Sequence, residues 1–214
     1  MRRPSVCFHQ ERVSLLMRVY ADSLVSRGAL CFLLLLLFLF PNIILGQGKN
    51  EAQLVEIQVK ASFIHNFAYF VEWPETAFSS PNDPFRIGIV GDSFLADLLR
   101  KTVQGKNVKS RPFLIESFSS DSVSIDDLKS FQILFFRNVQ SATPLVGDVK
   151  LSSLPILTIG NDPGFTTGNG IIDFFSVNDR ISFEVNPGNS QKAGLKISSK
   201  LLKLARIVGE PQNR

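Results

Sequence analysis

The sequence predicts a single α/β domain with a mostly parallel sheet, helices on both faces of that sheet, and a β-hairpin and a C-terminal helix at its end. Short apolar segments of the kind found in buried strands alternate along the chain with capped, helix-like segments. This alternation is typical of a parallel sheet that is covered on both faces. In the last third of the chain the pattern changes to two strand-like segments around a short polar turn, which indicates a β-hairpin.

The first element of this domain is predicted to be a helix over Leu54–Val71, where apolar residues recur at alternating steps of three and four. A second apolar stripe on the same helix consists of Val59, Phe63, Phe67 and Phe70. The helix should end at Trp73, because a residue that precedes proline is pushed out of the helical region. The apolar face of this helix is therefore unusually wide.

Strands and helices then alternate. The strands are predicted at Phe85–Gly91, Phe113–Phe118, Phe131–Phe136 and Pro155–Ile159. The helices between them are one capped by Asp92 or Ser93, one over Ile125–Leu128 capped by Ser124, and a weak one over Leu145–Leu154.

The predicted hairpin consists of Ile171–Phe175 and Arg180–Val185. Asn186 and Pro187 open a helical segment that Gly194 closes. Ser198 then caps a last helix, whose apolar face is predicted to carry Leu201, Leu204, Ala205 and Val208.

A run of twelve apolar residues, Ala29 to Phe40, follows two arginines and ends at Pro41. It is shorter than the ~20 residues that span a bilayer, so we interpret residues 1–46 as a cleaved secretory signal, with Met17 as an alternative start. An uncleaved inner-membrane anchor over residues 29–45 is the alternative. Residues 47–53 are then a flexible N-terminus, 54–208 the domain and 209–214 a C-terminal tail.

The formal net charge of +4 arises mostly in this leader. Cleavage after Gly46 removes five of the 23 Lys and Arg residues and two of the 19 Asp and Glu residues, which leaves a net charge of about +1. It also removes Cys7 and Cys31, the only cysteines. The remaining exported domain has no basic character to suggest nucleic-acid binding and no cysteine to form a disulfide.

The carboxyl ends of the predicted strands are followed by polar, loop-forming residues, and open α/β sheets bind ligands at such ends. The candidate residues for a small-molecule site are Asp92, Ser93, Asn138, Asn161, Asp162 and Arg180. Turn and capping chemistry is the simpler explanation of each one alone.

Catalytic and metal sites are not predicted. The residues after Gly91 match no phosphate-loop spacing, His65 is the only histidine or cysteine of the exported domain, and no nucleophile elbow is present. Asp173 and Glu184 are carboxylates within the hairpin strands and could share acid–base catalysis if they faced one pocket, but solvent-facing strand positions explain them better. The residues therefore predict a protein without cofactor or enzymatic activity.

The first helix carries more aromatic residues than one buried stripe requires, and an exposed apolar stripe marks a partner surface. The candidate partner-binding residues are Phe63, Phe67, Phe70 and Trp73.

Four segments of the chain resemble the YfiR family of exported bacterial regulators: Lys60–Pro74, Phe85–Asp92, Phe131–Phe136 and Arg180–Ala205. The resemblance implies a periplasmic α/β protein without catalytic activity that represses a YfiN-type membrane diguanylate cyclase and so lowers cyclic di-GMP. It also implies a homodimer. A sensor kinase is an alternative membrane partner, and a periplasmic solute-binding protein is the alternative function.

The chain differs from this family pattern in two places. Phe131 stands where a cysteine often precedes the third strand, and the glycine-rich turn before the hairpin, Gly168–Phe174, is a variant of the family's paired glycines. We therefore expect its switch to depend on packing or ligand binding and not on thiol chemistry.

Overall fold

The computed structural model describes residues 42–120, 123–138 and 149–209, with backbone only for residues 42–50, 149 and 150. The chain divides into two compact units, Met1–Ala52 and Gln53–Arg214. The first unit is described only for the start of one helix. The second unit contains the α/β domain.

The helices are α1 (Asn42–Phe70), α2 (Ser93–Val103), α3 (Ile125–Leu128), α4 (Val149–Ser152), α5 (Pro187–Lys192) and α6 (Ser199–Leu202). A 3₁₀ helix spans Glu75–Ala77. The strands are β1 (Val71–Glu72), β2 (Phe85–Val90), β3 (Asn107–Val108), β4 (Arg111–Phe118), β5 (Ile133–Phe136), β6 (Leu157–Gly160), β7 (Ile172–Val177), β8 (Arg180–Val185), β9 (Lys196–Ile197) and β10 (Arg206–Ile207).

Within these described segments, one eight-stranded sheet has the order β10-β8-β7-β6-β5-β2-β4-β3. Strands β4, β2, β5, β6 and β7 are neighbours and run parallel. β8 pairs antiparallel with β7, β10 runs parallel to β8, and β3 closes the other edge antiparallel to β4. A separate antiparallel pair joins β1 to β9. The predicted α/β fold class with a mostly parallel sheet is therefore confirmed.

Helices cover both faces of this sheet. On the first face, side chains of α1 and α2 pack against alternate strand residues such as Ile87, Ile133 and Phe174. On the second face, Leu128 of α3 and Leu151 of α4 pack against the intervening strand residues. The strands are buried on both sides, which is why their sequences are continuously apolar.

Helix α1 packs its aromatic rings against the hairpin strands β7 and β8. The ring centroid of Phe67 lies 5.2 Å from that of Phe183 and 6.1 Å from that of Phe174. Phe63 contacts the same two rings at 5.3 and 6.0 Å. The predicted helix over Leu54–Val71 is confirmed at its C-terminal end, and it begins earlier than predicted, at Asn42. Residues 47–53, for which the sequence suggests a flexible segment, have helical backbone.

Side-chain caps fix the helix starts that the sequence indicates. Asp92 accepts a hydrogen bond from the Leu95 amide, Ser124 forms a reciprocal capping box with Asp127, and Asn186 and Ser198 cap α5 and α6. The positions of the predicted strands agree with the structure to within about two residues.

The predicted face of the last helix is wrong. Helix α6 ends at Leu202, and the chain continues into the edge strand β10. Leu201 is buried, but Leu204 is 72 % exposed. The physical reason is that Arg206 and Ile207 pair in parallel with Glu184 and Val185, so backbone pairing to the sheet replaces the next helical turn.

The leader lies outside the described residues up to position 41, so its cleavage and its start remain predictions. The region of the weak helix is described only from Val149, where α4 begins. Among the residues that the structure describes, no helix is long and apolar enough to cross a membrane.

We expect Phe67→Ala to lower the free energy of unfolding by about 3–5 kcal/mol, because the fully buried ring leaves a cavity against the hairpin. Val55→Ala on the same helix is the control, since Val55 is 58 % exposed and should change stability by less than about 0.5 kcal/mol. Denaturant unfolding measures both; equal losses in the two variants would contradict the assigned core.

Candidate functional site

Polar residues follow the neighbouring strands β2 and β5 at their carboxyl ends, as the sequence predicts. The Asp92 side chain accepts from the Leu95 amide at 3.0 Å through Oδ1, and its Oδ2 lies 3.6 Å from Nη1 of Arg137. Asp92 is buried, whereas Ser93, Arg137 and Asn138 are exposed. The carboxylate of Asp92 therefore caps α2 and pairs with an arginine from the next strand.

The loop Asn161–Gly170 follows β6 at the same edge and folds back over the sheet. Its centre is Phe165, whose ring is buried against Gly160 and Gly170. A Cβ atom at either glycine would overlap this ring, so only glycine fits at both positions. We refer to residues 161–170 as the Phe165 loop.

Two asparagines of the segment after the hairpin hold the Phe165 loop. Asn189 Nδ2 donates to the carbonyls of Gly168 and Gly170 at 2.9 and 2.8 Å. Asn186 Nδ2 donates to the carbonyl of Thr166 at 2.9 Å. These bonds satisfy loop carbonyls that neither helix nor strand pairing would satisfy.

Beneath this loop lie Asp173 of β7 and Glu184 of β8, which face each other in the strand register. The sequence favours solvent-facing positions for both residues, and this prediction is wrong. Asp173 is 2 % exposed and Glu184 is 7 % exposed. The physical reason is that the Phe165 loop covers the side of the hairpin on which a two-residue alternation places polar side chains.

The two carboxylates have different partners. Glu184 Oε2 accepts from Nη2 and Nε of Arg206 at 2.5 and 3.1 Å, and Oε1 accepts from the Thr166 hydroxyl. The Arg206 guanidinium also lies 4.0 Å from the ring centroid of Phe175. Among the described residues, Oδ1 of Asp173 has no hydrogen-bond partner.

Burial raises the pKa of Asp173 to about 7, and the negative charges of Glu184 and Asp162 act in the same direction. Hydrogen bonds from the backbone amides of Asp162 and Phe165 oppose this rise. The carboxyl of Asp173 can therefore exchange a proton near neutral pH. In this closed conformation it is too deeply buried to meet a substrate.

Of the predicted ligand residues, the structure brings Asp162 near Asp173 and leaves Arg180 elsewhere. Asn161 and Asp162 begin the Phe165 loop, and the charge of Asp162 acts on the Asp173 carboxyl. Arg180 is exposed at the tip of the hairpin opposite Val177. Arg180 pairs through its backbone in the hairpin, but its side chain makes no hydrogen bond or ion pair with another described residue, so contacts do not join it to the other predicted ligand residues.

The predicted partner residues of α1 have different exposures. Phe67 is fully buried and belongs to the core, so it cannot contribute to an exposed stripe. Phe63, Phe70 and Trp73 are partly buried and pack against that core. The Trp73 indole donates to the carbonyl of Gln132 at 3.1 Å, which ties the end of α1 to β5.

The open part of α1 is a groove of about 230 Å³. We call it the α1 groove; its lining residues are Val55, Gln58, Val59, Ser62, Phe63 and Asn66. Their spacing places them along one side of the helix. Of the predicted partner residues, only Phe63 lines it.

In a comparison with family models, residues 57–206 match the YfiR/HmsC-like family. The match begins in α1 and ends at Arg206 of β10, and it contains the whole Phe165 loop. The chain belongs to the YfiR/HmsC-like family. The predicted family resemblance is thereby confirmed. No curated protein matches the chain significantly.

His65 occupies a packing position in this YfiR/HmsC-like domain. Its ring lies 5.1 Å from that of Tyr69 and 5.6 Å from that of Phe113. Burial, together with the positive charge of Lys106, lowers the pKa of His65 and favours the neutral ring. No group of three or more His, Cys, Asp or Glu residues that could hold a metal ion occurs in the described part of the chain.

Sequence reasoning missed Thr166 and Asn189, whose side chains hold the Phe165 loop, and Arg206, which pairs with Glu184. A signal for them exists in the glycines that flank Phe165, because paired glycines around a buried aromatic residue indicate close packing of backbone on ring. The long-range partners of Asn189 and Arg206 have no signature in local spacing.

We expect Asn189→Ala to lower the free energy of unfolding by about 1–3 kcal/mol, because it leaves loop carbonyls buried without donors. The neighbouring exposed Gln191 provides the control, and Gln191→Ala should be nearly neutral. Chemical denaturation with both variants checks this; a neutral Asn189→Ala would show that the loop does not depend on this side chain.

Proposed function

We propose that this protein is a non-catalytic regulator that works outside the cytoplasm and represses a membrane-bound diguanylate cyclase. The observation that carries this proposal is the YfiR/HmsC-like match over residues 57–206, which covers the α/β domain from the middle of α1 to β10. The apolar segment before the domain supports export. In this proposal the regulator acts on the cyclase by binding it.

We propose the α1 groove as the surface that contacts this partner. Val55 is 58 % exposed and Leu54 beside it is 44 % exposed, so apolar side chains are available without unfolding the domain. Gln58, Ser62 and Asn66 give the groove a polar border. A groove of this composition fits an amphipathic helix, whose apolar side chains pack on the valines while its polar ones meet this border.

Crosslinking in intact cells tests the identity of the partner. A photoreactive amino acid at Ser62, which is exposed within the groove, should capture an integral membrane protein with a cyclase domain. The same amino acid at exposed Ser176 on β7 is the control. A Ser62 crosslink to a sensor kinase would replace the cyclase as partner, and one between two copies would assign the groove to a homodimer.

We expect Val55→Glu to weaken partner binding at least about tenfold, or about 1.4 kcal/mol, because it places a charge in a desolvated contact. Binding is measured with the purified partner, and cyclic di-GMP in cells should rise.

The matched control is Val177→Glu on the hairpin, where the native residue is 48 % exposed. Both variants should keep the unfolding midpoint of the wild type. If Val55→Glu folds and binds as well as Val177→Glu does, the α1 groove is not the contact surface.

A second candidate is solute binding at the carboxyl ends of β2 and β5. The observation in its favour is that the Arg137 side chain is 63 % exposed and lies 3.6 Å from Asp92, which leaves its guanidinium accessible to a small anion. Ser93, Asn138, Asn161 and Asp162 are the further proposed contacts.

A thermal-shift panel of small anionic metabolites tests this site. A true ligand at about 100 times its dissociation constant should stabilise the protein by roughly 2.7 kcal/mol. Arg137→Ala should abolish that stabilisation, while Arg180→Ala at the hairpin tip should retain it. Stabilisation that survives Arg137→Ala would place the ligand elsewhere.

A further inference from the structure

The cluster formed by Asp173, Glu184, Asp162 and Arg206 has more negative than positive charge, and its two hairpin carboxylates are buried. Glu184 is directly opposite Asp173 in the register of β7 and β8, and Asp162 approaches from the Phe165 loop. The one cation of the cluster, Arg206 of β10, donates both of its hydrogen bonds to Glu184. An ionised Asp173 is therefore left without a cationic partner in this cluster.

The Phe165 loop is what keeps Asp173 away from water. It places the backbone amides of Asp162 and Phe165 on the Asp173 carboxyl, and the Phe165 ring closes over Gly160 and Gly170. The loop itself is joined to the neighbouring carboxylate, because the Thr166 hydroxyl donates to Glu184. Opening of the loop would hydrate Asp173 and break this bond at the same time.

We propose that Asp173 and the Phe165 loop form a proton-operated latch, in which a protonated Asp173 keeps the loop closed and loss of its proton releases the loop from the sheet. A buried carboxylate without a cationic partner is unfavourable, whereas a neutral carboxyl is tolerated there. Opening restores the hydration of the carboxylate. The latch is a property of the domain alone and does not depend on the identity of the partner.

The direction of the pH dependence follows from linkage. Burial and the two neighbouring carboxylates raise the pKa of Asp173 to about 7 in the closed state, and loop opening returns it toward 3.8. The closed state therefore binds the proton more tightly than the open state. Its advantage is complete below the ordinary carboxyl pKa and is lost as the pH rises toward 7.

His65, whose pKa is lowered in the folded protein, acts in the opposite direction. Its contribution to stability is lost as the pH falls. The sign of the pH effect thus distinguishes the two residues. The readout must also be local, because His65 lies on α1 against Tyr69 and Phe113.

Hydrogen exchange of the purified full-length protein tests the latch. After correction for intrinsic exchange rates, protection of the amides in residues 161–170 should fall by up to about tenfold per pH unit between about pH 5 and 6. It should level off above about pH 7. Amides of β2 and β5 serve as the internal reference and should change much less.

Asp173→Asn is the decisive variant, because the amide keeps the shape of the side chain and cannot lose a proton. Protection of the loop should then be independent of pH and close to the wild-type value at low pH. Asp179→Asn in the exposed hairpin turn is the matched control and should retain the wild-type profile.

Glu184→Gln keeps the proposal testable if Asp173→Asn fails to fold. Removing the negative charge opposite Asp173 should shift the loss of protection to lower pH. An unshifted profile in Glu184→Gln, a pH-dependent loop in folded Asp173→Asn, or protection that rises with pH would each overturn the latch.

Discussion

Burial of β2, β5 and β6 on both faces is the constraint on which the rest of the domain depends. Strands that are apolar on both sides must be packed against other elements on both faces of the sheet. On the first face, α1 and α2 pack against them. On the second face, the cover that the described residues provide consists of the short helices α3 and α4 and the Phe165 loop. A loop pairs less of its own backbone than a helix does, and Asn186 and Asn189 donate to its remaining carbonyls. The Thr166 hydroxyl joins the loop to Glu184.

Local chemistry made much of this fold predictable. The caps at Asp92 and Ser124 depend on residues three positions apart, so the sequence contains all the information that places them. The last helix shows where local information ends. Leu201 and Leu204 have helical spacing, but the chain leaves the helix because Arg206 finds Glu184 on a strand that lies 22 positions earlier. The apolar periodicity of a segment gives no information about contacts between residues so far apart in the sequence.

Some features of the candidate sites could likewise be predicted from local sequence, and others depend on contacts between distant residues. The exposed ends of β2 and β5 could be found from the sequence, since strand ends follow from the strands themselves. The burial of Asp173 could not be predicted from the sequence. Strand alternation places Asp173 on the face opposite Phe174, but only the Phe165 loop determines whether that face is exposed to solvent. The prediction that Phe67 binds a partner is wrong for a similar reason. Both apolar stripes of α1 are plausible surfaces until the hairpin rings of Phe174 and Phe183 occupy one of them.

The hairpin joins the two sides of this domain. Asp173 and Glu184 face the Phe165 loop, while the adjacent residues Phe174 and Phe183 face α1 and touch Phe63, which lines the α1 groove. Because successive strand residues point to opposite faces, each hairpin strand contacts the Phe165 loop region on one side and the aromatic rings of α1 on the other. Energetic coupling between two sites requires an element whose arrangement both of them bias. The β7–β8 hairpin contacts both sites directly, so any such coupling between them would pass through it.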